Sequence, residues 1–523
     1  MQRDGRPVRR VAVVGVSLGL HLALIGCSGS SAPRVVDIDP VGPTVIPTAP
    51  PPTEGSTSVT VAPSSGGPPA TTGSSGRDRE EVSRSLSVGD RRFPGLGSAD
   101  LDVGHYDVAL DYDPVARVFD GTVTVSLTTT TTTDQLAFDA ESLDVGSVAV
   151  DGTSRPFLTA DRELLITLPT AVAAGTELVV DIDYRAELDT TRRFADDAGV
   201  FVTAGGFWSV NEPDGTSTWM PTNDHPTDKA TWTFVLTVPD PAVAIANGEL
   251  VSSESASPGT TAWTWEQTEP MASYLTLLLV GDYDLVDAGT TASGVELHHA
   301  AIDGSTSSLD AYTEVTLEQF EFFEPLFGPY PFDRYGLAIT DSTPGLAMET
   351  QGLSLFSSGD LDGSLGALQH LLLAHELAHQ WFGDAVSPAT WDDIWLNEGF
   401  ATYAQWLWLD EAGFGTVDEF AADALAALPD AGGPVGRPDE LFGAVAYEGG
   451  AIVLHAMRSV LGDEAFFEGL RTWSAEHADG AATTADLRAT FERVSGRDLK
   501  GFFDTWVAAE QRPDRYPDPE SPA

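Results

Sequence analysis

The feature that most restricts how this chain can fold is a set of two histidines and two glutamates. His375 and His379 stand four residues apart, so on a helix they project from the same face, about 6 Å apart along its axis. With Glu376 between them they form the H-E-x-x-H pattern of zinc sites in which the glutamate is a general base. A catalytic zinc needs a third protein ligand and an open coordination position, and Glu398 is the natural third ligand. The fold must therefore bring this helix and Glu398 together around one Zn²⁺ ion.

The surrounding residues predict two packed helices. Residues 371–378 are mostly apolar and would pack beneath the ligands. A second helix is predicted from about 395 to 410, where Glu398, Thr402 and Gln405 share one side and large apolar side chains occupy the rest. The alternative is an ordinary buried amphipathic helix that matches a five-residue pattern by chance. The downstream acid and the apolar helix favour the zinc site over that alternative.

Composition bounds the class of protein. A chain of 523 residues, 42% of them apolar, is long enough for two or three globular domains. The 79 acidic and 27 basic residues give a net charge of -52, so nucleic acid is not an expected partner, because phosphate binding needs clustered Lys and Arg. Lys229 and Lys500 are the two lysines, and arginine supplies nearly all the positive charge. The acidic surface predicts good solubility and does not identify a substrate.

The start of the chain has the layout of a secretory signal. Four arginines stand among the first ten residues, and the apolar run at 11–26 is short for a bilayer span, which needs about 20 residues. The run ends at Cys27, the single cysteine, so no intrachain disulfide is possible. The ending L-I-G-C resembles the bacterial lipoprotein box, which implies cleavage before Cys27 and a lipid anchor on its sulfur. A plain signal peptide or an uncleaved anchor is the alternative, and an Arg-Arg pair leaves the twin-arginine export route open.

The remaining chain divides by composition and periodicity. Residues 28–92 are rich in Ser, Thr, Pro and Gly, which predicts a disordered tether. In residues 93–283 apolar and polar residues alternate, which predicts one antiparallel β domain. Helical spacing takes over in residues 284–511, and the Pro-rich residues 512–523 are predicted to be a disordered tail. The predicted helices cover 309–327, 366–383, 395–411, 448–461, 463–477 and 484–510.

These motifs and their surroundings resemble the aminopeptidase N family of zinc metallopeptidases, within the gluzincins. The segments HQWFG at 379–383 and WLNEGFA at 395–401 match the family closely. Eighteen residues separate His379 from Glu398, which is the family's spacing. Thermolysin-type and neprilysin-type enzymes usually have an acid four residues after the ligand glutamate, and here that position is Thr402. The comparison therefore favours aminopeptidase N among the gluzincins.

The resemblance implies specific catalytic roles. It implies one Zn²⁺ per chain, held by His375, His379 and Glu398. Glu376 would be the general base that takes a proton from the zinc-bound water. The family stabilises the oxyanion with a tyrosine hydroxyl. The segment YEGGA at 447–451 resembles the family's Y-E-K-G-A, which implies Tyr447 in that role, although Gly449 replaces the usual lysine. A buried aromatic at a helix start is the alternative for Tyr447.

An aminopeptidase must also recognise the free α-amine of its substrate, which carboxylates do through charge-assisted hydrogen bonds. The family takes one glutamate from its G-A-M-E-N segment, and the matching LAMET at 346–350 implies Glu349. A second comes from the β domain, where the N-E-P run at 211–213 implies Glu212. A carboxylate without function is the alternative for either glutamate. The glycine, asparagine and glutamine of the family are replaced here by Leu346, Thr350 and Val210.

The resemblance covers residues 95–510 and implies a multidomain α+β fold. An N-terminal antiparallel β-saddle or sandwich domain would precede a mostly helical, thermolysin-like zinc peptidase domain, with the active site between them. Large family members add a helical domain that closes the cavity, and this chain is expected to lack it.

The implied function is a zinc aminopeptidase that removes N-terminal residues from peptides outside the cytoplasm, anchored to the cell membrane through the lipid on Cys27. Two alternatives stay open. One is a zinc peptidase of altered specificity, acting on blocked or longer peptides, which the replacements at Leu346, Thr350 and Val210 motivate. The other is a non-catalytic peptide-binding lipoprotein. The sequence carries no signal of the oligomeric state.

Overall fold

The computed structural model describes residues 86–517, except 161, 194–196, 303, 343–344 and 429–430. Cys27, the signal segment and most of the predicted tether lie outside the described residues, so the lipid anchor stays a prediction. Within the described residues, no helix combines the length and the apolar character that a bilayer crossing requires.

The described residues up to Gly281 form strands in three sheets, joined by short 3₁₀ turns at Thr216–Thr218 and Ser273–Leu275. This part of the chain is the β-rich domain that alternation predicts. Its strands are β1 (Leu101–Asp113), β2 (Val118–Thr129), β3 (Thr133–Asp139), β4 (Asp144–Val150), β5 (Thr153–Ser154), β6 (Phe157–Ala160), β7 (Glu163–Val172), β8 (Glu177–Glu187), β9 (Gly199–Val202), β10 (Phe207–Val210), β11 (Lys229–Pro239), β12 (Val243–Ala246), β13 (Glu249–Ser257), β14 (Thr260–Ala272) and β15 (Leu278–Gly281).

The largest sheet has the strand order β13-β14-β11-β1-β2-β8-β4-β5, and the two smaller sheets have the orders β12-β15-β10-β9 and β3-β7-β6. Every second residue of β11 is buried, because one face of the sheet packs on the core. Neighbouring strands of the large sheet are antiparallel except β1 and β11, which run parallel with His105 opposite Thr231. The parallel pair contradicts the prediction that all neighbouring strands of this domain are antiparallel. Parallel neighbours need a long connection, and here the chain from β2 to β10 joins β1 to β11.

The second domain contains the helices. The predictions at 309–327, 395–411 and 463–477 are confirmed at both ends. Short 3₁₀ turns at Thr306–Ser308 and Trp391–Asp393 precede two of the helices. The helices are α1 (Leu309–Phe327), α2 (Ala367–His379), α3 (Trp395–Glu411), α4 (Val417–Ala427), α5 (Tyr447–Leu461), α6 (Asp463–His477), α7 (Thr484–Ser495) and α8 (Lys500–Trp506).

Two predicted helices end earlier than expected. The single helix predicted at 484–510 is divided into α7 and α8, because Gly496 adopts φ +67° and its N–H bonds the carbonyl of Glu492. This left-handed end is typical of glycine after a helix. Helix α2 ends at His379 and not at residue 383, because the chain turns sharply there and Gly383 has φ +136°.

The helical domain also contains a mixed sheet that the periodicity analysis missed. Its main path has the order β16-β17-β19-β21-β20, and β18 pairs with β17. Strands β19 and β21 are buried at every position, so they lack the alternation that identifies half-buried strands. The strands are β16 (Tyr283–Thr290), β17 (Glu296–Ile302), β18 (Arg334–Tyr335), β19 (Leu337–Thr340), β20 (Ala347–Met348) and β21 (Ser354–Ser357), and a separate pair is formed by β22 (Val386–Pro388) and β23 (Gly480–Ala482).

The apolar core of the β domain continues into the helical domain. The cluster that contains the strand residues also includes Trp391, Ile394 and Ala446, and Tyr447 packs against it. Trp391 has no exposed surface, and its ring meets the Tyr274 ring edge-on at 5.3 Å. A second cluster fills the space among the helices and the mixed sheet. The two domains therefore meet through buried side chains.

The ordered body begins before the predicted boundary at residue 93. The backbone N–H of Trp391 donates to Asp90 Oδ2 at 2.8 Å. The Arg91 guanidinium donates to both carboxylate oxygens of Asp392, at 2.7 and 2.5 Å. Residues 90–92 are therefore part of the folded protein and not of the tether. Composition predicted disorder here because the few charged side chains that hold the segment find their partners about 300 residues away.

The folded protein also extends past residue 512, where the disordered tail is predicted to start. The Tyr516 hydroxyl donates to the Ala421 carbonyl at 2.9 Å, and its ring is stacked on Trp506 with centroids 5.9 Å apart. The first residues of the Pro-rich segment are therefore docked, because one aromatic side chain gains a partner that composition does not reveal.

Candidate metal centre

Helix α2 presents both histidines of the motif on one buried face. The helix runs to His379 itself, and His375, Glu376 and His379 are each at most 3% exposed. The two imidazole rings lie with centroids 4.7 Å apart at an interplanar angle of 79°. The spacing of four residues therefore places two nitrogen donors side by side, as the sequence predicts.

Helix α3 supplies the third group. Glu398 lies in its first turn, and its Oε2 is 3.3 Å from His375 Nε2 and 3.4 Å from His379 Nε2. One ligand atom from each of the three residues lies within 4.8 Å of the others, and all three side chains are buried. The structure therefore brings together the three predicted metal ligands.

Hydrogen bonds on the far side of each ring orient the imidazoles. His375 Nδ1 is 2.9 Å from Gln405 Oε1, and His379 Nδ1 is 3.1 Å from the Phe382 carbonyl oxygen. Both partners are acceptors, so each Nδ1 carries a proton and each Nε2 faces Glu398. This is how metal-bound histidines are usually held, and the donor set of two nitrogens and one carboxylate suits zinc with an open position.

The predicted catalytic residues lie beside these ligands. Atoms of Glu376, Glu349 and His379 lie within 4.8 Å of one another. The Tyr447 ring is stacked near His375, with centroids 6.0 Å apart and an interplanar angle of 11°, and its hydroxyl interacts with the Glu398 carboxylate. A proton acceptor and a hydroxyl donor therefore flank the metal position.

The two predicted amine-binding glutamates converge on the same place from different domains. Glu212 follows β10 of the β domain, and Glu349 follows β20 of the helical domain. Atoms of Glu212, Glu349 and Glu398 lie within 4.8 Å of one another. Glu212 Oε1 and Glu349 Oε1 are both buried and without a hydrogen-bond donor among the described residues. Two buried acceptors beside a metal site lack a donor, which a cationic ligand could supply.

Burial and charge set the protonation of this cluster. Burial raises the pKa of Glu376 well above its usual range. Burial also raises the pKa of Glu212, and the neighbouring carboxylates add to the rise. Although burial opposes it, hydrogen bonds with His375 and His379 lower the pKa of Glu398 to about 2. The ligand carboxylate is therefore ionised at neutral pH, whereas the pKa values of the carboxylates around it are shifted upwards.

The departures from the family pattern lie in packed positions. Val210 and Leu346 have no exposed surface and belong to the apolar core of the β domain. The Thr350 hydroxyl donates to the Leu353 carbonyl, and Thr350 is also fully buried. A Cβ on Gly449 would lie 3.2 Å from Val435 Cγ2, so that helix position is closely lined by apolar atoms.

Several residues that surround the metal position carry no local sequence signal of that role. Helical spacing places Gln405 on the same side of α3 as Glu398, and in the structure its Oε1 lies 2.9 Å from His375 Nδ1. Tyr274 and Lys229 of the β domain bond the backbone just after α2. Their contacts join residues more than 100 positions apart, and no local pattern reports such a pairing. The one available signal was the rarity of lysine in this chain.

A β-rich domain packed on a helical domain, with two histidines and a glutamate converging from adjacent helices, defines a two-domain zinc metallopeptidase. The chain belongs to the M1 family of zinc metallopeptidases. Residues 103–275 match the Peptidase M1 N-terminal domain, and residues 312–506 match the Peptidase family M1 domain. The metal of this family is zinc, in agreement with the donor set described above.

The relatives are aminopeptidases. The chain is 28% identical over 411 residues to aminopeptidase N of Streptomyces lividans, covering 72% of this chain and 45% of that protein. It is 32% identical over 316 residues to aminopeptidase N of Lactococcus lactis subsp. lactis, covering 55% and 37%. The chain thus spans half or less of the length of these curated relatives.

Solved structures match over their whole length. An M1 zinc metallopeptidase from Deinococcus radiodurans is 31% identical, with a TM-score of 0.75, and the match covers 83% of this chain and 99% of that chain. A mutant of the Deinococcus radiodurans enzyme bound to a Tyr-Ser-Ala substrate matches at 31% identity with a TM-score of 0.74, covering 83% of this chain and 100% of that chain. The two-domain architecture is therefore that of solved M1 peptidases.

Proposed function

We propose that this protein is a zinc aminopeptidase that removes single residues from the N-terminus of peptides. One observation carries the proposal: the buried Oε1 atoms of Glu212 and Glu349, which accept no hydrogen bond from the part of the chain that the structure describes, lie beside the three zinc ligands. A free α-ammonium group supplies the donors that these atoms lack, and charge-assisted bonds of this kind are strong. The substrate-bound Deinococcus radiodurans relative, which holds a tripeptide, supports a peptide as substrate.

The edge of the mixed sheet gives the peptide a place to lie. Strand β20 ends the sheet and pairs only with β21 along its described path, and Glu349 follows it directly. An extended peptide can add to such an edge through main-chain hydrogen bonds. Its α-amine would then meet the two glutamates, and its first peptide bond would lie near Glu376 and Tyr447.

Each residue then has a defined task in hydrolysis. Zinc, when bound by His375, His379 and Glu398, supplies Lewis-acid activation. Glu376 takes a proton from the attacking water and gives it to the leaving amine. The Tyr447 hydroxyl donates a hydrogen bond to the oxygen that becomes negative. Glu212 and Glu349 hold the α-amine and so fix which peptide bond is cut.

A panel of free and N-acetylated peptides tests this function with the purified full chain. We expect the free peptides to be cleaved and the acetylated ones to be resistant, because acetylation removes the ammonium charge. Glu349→Gln and Glu212→Gln should lower kcat/KM on free peptides about 10- to 100-fold, since a hydrogen bond to a charged group contributes about 1.5–3 kcal/mol. Faster cleavage of the acetylated peptides would refute the aminopeptidase assignment, and a zinc-loaded protein that cleaves no peptide would refute catalysis.

We further propose that the enzyme acts outside the cytoplasm, anchored by a lipid on Cys27. The basic start, the short apolar run and the position of the single cysteine support this location. Cys27→Ser should move the protein from the membrane fraction to the soluble fraction and abolish labelling by a tagged fatty acid. Continued membrane association of the unlabelled variant would contradict the lipid anchor.

A further inference from the structure

A short turn follows the metal-binding helix and contacts the imidazole ring of His379. The Phe382 carbonyl at the start of this turn accepts from His379 Nδ1 at 3.1 Å. The turn returns at once to the helix end, because the Asp384 N–H bonds the His379 carbonyl at 3.0 Å. A Cβ on Gly383 would lie 3.3 Å from His379 Nδ1, so the turn is packed against the imidazole. A shift of this turn therefore moves the ring that holds the metal.

Three carbonyls of the turn accept hydrogen bonds from the β domain, and the Gly383 carbonyl also accepts from the Ser387 hydroxyl of the helical domain at 2.6 Å. The Tyr274 hydroxyl donates to the Gly383 carbonyl at 3.1 Å. Lys229 Nζ donates to the carbonyls of Asp384 at 2.6 Å and Ala385 at 2.9 Å. Three consecutive carbonyls thus bond side chains that come from β11 and from the 3₁₀ turn after β14.

Tyr274 also connects the turn to the third ligand. Its hydroxyl accepts from the Asn397 side-chain amide at 3.4 Å. Asn397 is fully buried and immediately precedes Glu398 on α3. A chain of hydrogen bonds therefore runs from the residue before Glu398, through Tyr274, to the turn after His379.

We propose that Tyr274 and Lys229 of the β domain are positioning residues for the zinc site, which set the geometry of His379 and Glu398 without touching the metal or the substrate. The β domain then contributes to metal binding as well as to substrate recognition. This inference deepens the proposed function and rests on it for the metal.

The chemistry of Lys229 supports a specific role. Burial lowers the pKa of Lys229 to about 8, and the neighbouring Asp384 and Asp479 counteract the fall. An ammonium group has three donors, and Lys229 directs two of them to main-chain carbonyls. Arginine supplies nearly all the other cations of the chain, but its planar guanidinium is wider than an ammonium. The compact ammonium of Lys229 bonds two adjacent carbonyls at once.

Zinc affinity tests the proposal without turnover. Tyr274→Phe removes one oxygen atom, and Lys229→Met keeps an unbranched side chain one atom shorter and without its charge. Each should raise the zinc dissociation constant of the full chain about 10- to 100-fold, as loss of an outer hydrogen bond at a metal site usually does. Competition with a chelating dye measures the constant, and the visible spectrum of the Co²⁺-loaded protein should change with the ligand geometry.

Two matched variants separate positioning from general damage. Tyr283→Phe removes another buried hydroxyl, bonded to Thr340 Oγ1 at 2.7 Å, and Lys500→Met removes the other lysine, paired with Asp504. Both should bind zinc within about twofold of the wild type. The proposal is overturned if Tyr274→Phe binds zinc as tightly as the wild type, or no more weakly than Tyr283→Phe. Should Lys229→Met not fold, Tyr274→Phe decides alone. A protein that binds zinc normally but cleaves nothing would refute the proposed activity and leave this inference standing.

Discussion

The helices that carry Glu398 and Tyr447 touch through two glycines, and this contact gives a quantitative prediction. A Cβ on Gly399 would lie 2.6 Å from the Gly450 Cα and 2.8 Å from the Gly450 carbonyl carbon. Carbon atoms in contact prefer separations of about 3.5–4.0 Å. The Gly399→Ala substitution therefore requires α3 and α5 to move apart by about 1 Å.

This movement should affect stability and activity by different amounts. Alanine favours a helix interior over glycine by about 1 kcal/mol, whereas overpacking costs about 1–3 kcal/mol, so the fold should lose at most about 2 kcal/mol. A misplacement of about 1 Å between catalytic groups costs about 100-fold in rate, which is about 2.7 kcal/mol of transition-state stabilisation. We expect activity to fall further than stability, because Glu398 and Tyr447 lie on opposite sides of the contact.

The assay compares kcat on a peptide substrate, zinc content and urea unfolding for Gly399→Ala and the wild type. Gly501→Ala in α8 is the matched control, because its added Cβ meets nothing within 4 Å. The control should keep wild-type kcat. If Gly399→Ala folds, holds zinc and keeps kcat within about twofold of the wild type, the reasoning from helix contact to catalysis is refuted.

Three further predictions concern single side chains. Tyr447→Phe should lower kcat about 100- to 1000-fold with little change in KM, because we propose that its hydroxyl acts on the developing oxyanion. Steady-state kinetics on a free peptide would contradict this role if kcat were unchanged. Gln405→Leu should raise the zinc dissociation constant about 10- to 100-fold, since His375 Nδ1 loses its acceptor, and chelator competition showing wild-type affinity would contradict this. Although burial opposes it, the His225 ring, with Nε2 3.7 Å from Asp90 Oδ2, and hydrogen bonds from the backbone N–H groups of Trp391, Phe93 and Arg92 lower the pKa of Asp90 to about 2. A carboxyl group with a lowered pKa stabilises the fold above about pH 4, and this stabilisation is lost as the pH falls towards 2. Asp90→Asn should therefore lower the free energy of unfolding by about 2 kcal/mol at pH 7. In urea unfolding, the difference in stability between wild type and variant should disappear below about pH 4.

The metal ligands were predictable because their spacing is local. His375, Glu376 and His379 fit one helix face, and a helix places such residues whatever surrounds it. Glu398 is the third candidate ligand because it lies in the first turn of the next strongly apolar helix. The contribution of Glu349 and Glu212 came from resemblance alone, since neither lies near the histidines in the sequence.

The missed features depend on long-range contacts. Strands β19 and β21 are too short and too uniformly buried for a period-two signal. Lys229 lies at the start of β11. The alternation of apolar and polar residues in β11 predicts which face of the sheet is buried, but it does not predict the contact of Lys229 with residues 384 and 385. The docked Tyr516 depends on Trp506 and Ala421, and the composition of its own segment predicts only disorder.

The continuous apolar core has a practical consequence for engineering. A helical part expressed alone would present Trp391, Ile394 and Ala446 to water, along with the turn whose carbonyls the missing half had bound. Such a fragment should aggregate. A chimera that exchanges a whole domain with a relative would have poorly matched side chains at the domain interface. New peptide preferences are therefore better introduced by exchanging individual side chains within the intact protein.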